Sequence, residues 1–142
     1  MPTARFTLTV GALLAASGVI LGAFGAHVLE SAIGGWALEA VEQAKRLETW
    51  ETAVRYQMYH ALALLVSGLV LRDTTCRKPA VAAICFLLGT TIFSGCLYGY
   101  TLTGIRILGA IVPIGGLLLI CGWLLLAWNT IARNCDTAPG RP

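Results

Sequence analysis

Tyr56 and His60 stand four residues apart, as do Arg55 and Tyr59, and Glu51 lies four before Arg55. On a helix each pair shares a face, so Tyr56 and His60 can stack and hydrogen-bond, and Glu51 and Arg55 can form an ion pair. His60 has the widest chemical range, because an imidazole can donate, accept, carry a proton or ligate a metal. The chemistry open to such a cluster is polar-ligand binding or proton relay. The plainer role is interhelical hydrogen bonding, worth about 0.6–2 kcal/mol per contact in a membrane. No nucleophile–base–orienter set accompanies it. The five cysteines include no C-x-x-C pair or Cys/His metal spacing. Cys85, Cys96 and Cys121 fall in apolar runs, where Cys is ordinarily a small filler.

The elements that carry these residues follow from charge placement. The chain is 57% hydrophobic and 12% charged, with mean hydropathy +0.77. No Asp, Glu, Lys or Arg occurs between Phe6 and Leu29, between Ala80 and Thr103, or between Ile107 and Ala132. Each run exceeds the roughly 20 residues that cross a ~30 Å hydrocarbon layer. A soluble helical core needs a polar face, and these runs have none. The expected fold is therefore all-α: a four-helix transmembrane bundle, with spans at about 6–28, 52–71, 80–100 and 107–128. The net charge of +3 forms no basic stripe, so nucleic-acid binding has no support.

The first run resembles a secretory signal in its apolar core and Ala-Phe-Gly-Ala ending. Gly11, Ala15, Gly18, Gly22 and Gly25, however, make a small-residue stripe at spacings of three and four. Such a stripe lets a second helix approach closely, which argues for a retained span. Gly34 and Gly35 should end it. Residues 36–51 read as an amphipathic interfacial helix, with Glu42 and Arg46 paired at i,i+4, that can run directly into the second span; a solvated arm is the alternative. Pro79 suits a helix start. Thr101 to Arg106 is short enough to force an antiparallel hairpin of spans three and four. Pro113 should kink the fourth span by freeing the carbonyl of Gly109. Residues 133–142 read as a short polar tail.

Four spans place both termini on one side. That side collects Arg5, Arg72, Arg77, Lys78, Arg133 and Arg141, against Lys45, Arg46, Arg55 and Arg106 opposite. The bias predicts cytoplasmic termini in a cell (inner) membrane; a reporter fused after Pro142 that reads as extracytoplasmic would overturn it. His60 then lies about 12 Å below the outer surface at ~1.5 Å per residue. His27, Arg55, Tyr56, Tyr59, Ser94 and Tyr98 share that half, making one candidate polar cluster near the Pro113 kink.

Five ordered motifs carry a family resemblance: Gly-Ala-Phe-Gly-Ala-His at 22–27, Trp-Glu-Thr-Ala-Val-Arg-Tyr-Gln-Met-Tyr-His-Ala-Leu-Ala-Leu-Leu at 50–65, Phe-Ser-Gly-Cys-Leu-Tyr at 93–98, Leu-Thr-Gly at 102–104 and Leu-Gly-Ala-Ile-Val-Pro-Ile-Gly-Gly at 108–116. The chain resembles the domain-of-unknown-function 423 family, also called transmembrane protein 256-like: small inner-membrane proteins. Cys96 and Val112 stand where that family typically has Ser and Thr. The resemblance implies a four-helix inner-membrane fold and carries over no activity.

The leading expectation is a non-enzymatic interaction or structural component of the membrane, without a cofactor or metal. Its expected partners are the lipid bilayer and a second copy or another membrane protein. The alternative is a transporter or channel component for a small solute or proton, using the polar cluster around His60. A haem or enzyme reading is weaker, because His27 and His60 are the sole histidines and lie at different depths.

Overall fold

The computed structural model describes residues 1–74 and 76–131; the expected tail at 133–142 lies outside them. Its helices are α1 (Ala4–Phe24), α2 (Glu30–Gly34), α3 (Ala40–Asp73), α4 (Lys78–Thr103) and α5 (Arg106–Ile131), and a π-helical turn, Gly25–Leu29, joins α1 to α2. Four helical stretches are long and apolar enough to cross a membrane: Ala4–Gly34, Ala40–Asp73, Lys78–Thr103 and Arg106–Asn129. No strand occurs among the described residues.

Local signals explain the boundaries. The Thr3 hydroxyl caps α1 by accepting from the Phe6 N–H at 3.3 Å. Gly34 and Gly35 end α2 as expected. Pro79 sits in the first turn of α4, where its missing N–H costs nothing. Gly104 closes α4 in the left-handed region, φ 72°, with the Arg46 guanidinium packed over its α-carbon. α3 has 34 residues and is therefore about 50 Å long at ~1.5 Å per residue. The amphipathic segment from Ala40 and the second span are thus one continuous helix, a continuation the sequence allowed. α5 continues through Pro113 as a single helix.

The helices pack in the sequence α1–α3–α4–α5, so α3 and α4 are central and α1 and α5 flank them. The flanking pair turns Leu13, Val19 and Ile20, and Ile114, Leu117 and Leu124, outward. The glycine stripe of α1 meets α3 antiparallel. A Cβ on Gly11 would lie 3.1 Å from the Ala61 carbonyl oxygen, and one on Gly22 would lie 3.4 Å from Val54. On Gly25 it would strike the Trp50 indole at 2.6 Å. α4 and α5 approach as closely, through Gly89 and Gly115. Apolar burial gives helices in lipid little mutual attraction, so close backbone packing and polar contacts must hold the bundle. One apolar cluster joins Leu64, Ala83, Phe86 and Leu119; a second, at the opposite end, joins Leu29, Ile33 and Trp50.

Candidate functional site

The polar centre of the bundle is Gln57, buried on α3. Its Nε2 donates to the Leu14 carbonyl at 3.0 Å and the Ser17 hydroxyl at 2.9 Å. Its Oε1 accepts from the Tyr98 hydroxyl at 2.9 Å. One amide therefore ties α1, α3 and α4 together with both of its ends used. A turn away, the Ser94 hydroxyl donates to the Ala53 carbonyl at 2.9 Å, and the Trp50 indole N–H donates to the Leu21 carbonyl at 2.9 Å. The Trp50 bond falls in the last turn before the π segment, where the Glu30 N–H reaches back to the Gly25 carbonyl. The Leu21 carbonyl keeps its bond from the Gly25 N–H and takes the indole as a second donor.

His60 occupies a different surface, between α3 and α5. It is 5% exposed. Its Nδ1 lies 2.7 Å from the Tyr56 carbonyl oxygen, and the Trp123 indole N–H donates to its Nε2 at 3.3 Å. An indole N–H can only donate, so Nε2 presents its lone pair and the proton resides on Nδ1. The ring is thus assigned as the neutral Nδ1–H tautomer with both nitrogens engaged. Any ligand to Nε2 must first displace Trp123. Around it runs a lateral groove of about 650 Å³, lined by Tyr56, Tyr59, Phe93, Leu119, Ile120 and Trp123 among others, nearly all aromatic or aliphatic. Tyr56 stacks on Phe93 at 4.5 Å between centroids and on His60 at 6.0 Å.

The seven residues singled out in the sequence therefore divide among separate surfaces. Tyr56, Tyr59 and His60 share the α3–α5 groove. Ser94 and Tyr98 serve the seam between α3 and α4. His27 is exposed on the π turn. Arg55 lines another cleft of about 460 Å³ beside α1, with Glu51 4.0 Å away. Pro113 lies exposed on α5 and lines neither of these two clefts. Among the described residues no three His, Cys, Asp or Glu side chains cluster to hold a metal.

Gln57 escaped notice because the sequence reasoning weighed ionisable groups first. Its signal was positional: Trp50, Ala53, Gln57, Ala61, Leu64 and Gly68 recur at three and four, the buried stripe of α3. An amide on such a stripe must find partners on neighbouring helices. Outside the spans, the expected Glu42–Arg46 pair forms at 3.2 Å. Arg46 also donates to the Thr101 carbonyl at 3.2 Å, binding the front of α3 to the last turn of α4.

The family model for proteins of unknown function termed DUF423 matches residues 21–116, which span the π turn, Gln57, His60 and Tyr98. The chain belongs to this family. It is 46% identical over 126 residues to the UPF0382 membrane protein SH2409 of Staphylococcus haemolyticus, covering 89% of this chain and 95% of that one. With the UPF0382 membrane protein YwdK of Bacillus subtilis it shares 40% over 121 residues, 84% and 90% of the two chains. No solved structure matches. The four apolar helices and this kinship make the DUF423 chain a multi-pass membrane protein.

Proposed function

We propose that this protein is a non-enzymatic structural or interaction component of the cytoplasmic membrane, with both termini on the cytoplasmic side. The observation that carries the reading is the Gln57 node. Its three hydrogen bonds commit both ends of the amide to holding α1, α3 and α4 together, so it is not free to serve a solute path through the centre. His60 supports the same reading, since both ring nitrogens are occupied and the adjoining groove is apolar and opens sideways. The outward apolar residues of α1 and α5 supply surface for lipid or for other membrane helices. Orientation rests on the Lys and Arg excess near the termini.

The test is flux. Purified protein in liposomes carrying a pH-sensitive dye, under an imposed potassium-diffusion potential, should leak protons no faster than empty liposomes. A flux above that background that His60→Ala or Tyr98→Phe abolishes would replace this reading with a conducting one.

A further inference from the structure

The cleft beside α1 has a composition unlike the rest of the membrane surface. α1, the π turn and α2 contribute Gly22, Ala26 and Glu30; α3 contributes Val54, Glu51 and Arg55. All three charges line it, Arg55 and Glu51 one turn apart on α3 and Glu30 eight residues beyond Gly22. Glu30 is the first charged residue after the apolar run of α1, and Arg55 is the last before the apolar run of α3. Gly22 faces Val54, so this floor lies at acyl-chain depth and the charges extend outward from its edge, with the long Arg55 side chain reaching toward Glu51 and Glu30 farthest along. Aromatic side chains mark the same level: Trp50 packs between Phe24 and Tyr98, with centroids at 5.5 and 4.6 Å.

The charges are uncommitted. Arg55 and Glu51 approach only to 4.0 Å, with side chains 57% and 72% exposed. Glu30 makes no ion pair with a described residue. The π turn contributes through register, since its extra residue per turn rotates Glu30 into line with Gly22 and Ala26. Two carboxylates and one guanidinium give the rim a formal charge of −1.

We propose that this cleft binds one phospholipid with a primary-amine headgroup, such as phosphatidylethanolamine. One acyl chain lies along Gly22, Ala26 and Val54, the phosphate meets Arg55, and the ammonium donates to Glu30 and Glu51. The rim selects among lipids by charge and by donors. An anionic glycerol headgroup brings no cation to the two carboxylates and meets a rim already negative. A choline headgroup is zwitterionic but has no N–H to donate. The proposal stands apart from the sealed-bundle reading, because a conducting bundle could carry this lipid and a sealed one could lack it.

Delipidated protein in detergent, titrated with equal POPE, POPC and POPG and read by native mass spectrometry, tests it. One POPE per chain should be retained about fivefold over either competitor, a difference of about 1 kcal/mol. The double variant Glu30→Gln/Glu51→Gln should bring POPE down to the POPC level at unchanged melting temperature. Arg55→Gln should weaken all three, and Ala26→Leu, which crosses the floor, should remove the retained lipid altogether. Equal retention of the three lipids, preference for POPG, or a POPE preference untouched by the double variant would each overturn the proposal.

Discussion

Replacing Gln57 by Leu gives the sharpest test of how this bundle is held. Leu nearly matches the volume of Gln, so the cavity term stays small. What is lost is the donation to Leu14 and Ser17 and the acceptance from Tyr98. Interhelical hydrogen bonds in membranes average ~0.6 kcal/mol, so three are worth about 2 kcal/mol. That corresponds to about a 30-fold fall in the folding equilibrium constant. The Tyr98 hydroxyl, left without Oε1, adds to the loss rather than reducing it. Reversible unfolding by dodecyl sulfate in mixed micelles, followed by far-ultraviolet circular dichroism, measures the change directly. Tyr98→Phe completes a double-mutant cycle, in which the Gln57–Tyr98 coupling should be about 0.6–1.7 kcal/mol. A Gln57→Leu protein as stable as the parent, or more stable, would refute the argument: apolar packing would then hold the seam and the amide would be incidental.

Two further expectations concern packing and protonation. At Gly115 an added Cβ would lie 2.6 Å from the Phe93 backbone nitrogen, so Gly115→Ala must part α4 from α5 at a cost of about 1–3 kcal/mol. Gly95 has open space around it, so Gly95→Ala should gain about 0.5–1 kcal/mol of helix propensity; equal stability of the two variants in the same unfolding assay would count against the close approach. Nitrogen NMR of histidine-labelled protein in nanodiscs at pH 7.5 should show His60 protonated on Nδ1 and bare on Nε2. Trp123→Phe should relax that preference, whereas a proton found on Nε2 in the parent protein would contradict the indole bond.

The glycine stripe shows how much of the packing was legible without coordinates. Gly11, Gly18, Gly22 and Gly25 recur at helical spacing, and each meets α3 within 3.4 Å of a would-be Cβ. Small-residue periodicity is a local property of one helix, so it can be read from one segment. The same holds for the Gly34–Gly35 break, Pro79 at a helix start and the Glu42–Arg46 pair. The Trp50 bond beside the π turn was not legible, because the indole arrives at Leu21 from 29 positions away.

The candidate site divides along the same line. Depth along each helix follows from counting residues, so the sequence alone gathered His27, Arg55, His60 and Tyr98 in one half of the membrane. Rotation about the helix axes and the order of packing decide which of them meet. The α1–α3–α4–α5 order sends Tyr98 inward to Gln57, His60 across to Trp123, and Arg55 to the cleft beside α1. Three charge-free runs and the apolar stretch after Arg55 by themselves marked four segments as long and apolar enough to cross a membrane, because hydrocarbon tolerates no unpaired charge or open backbone along a span. Only the tertiary structure decided that its polar residues serve three separate surfaces, because a hydrogen bond between helices depends on the facing of both.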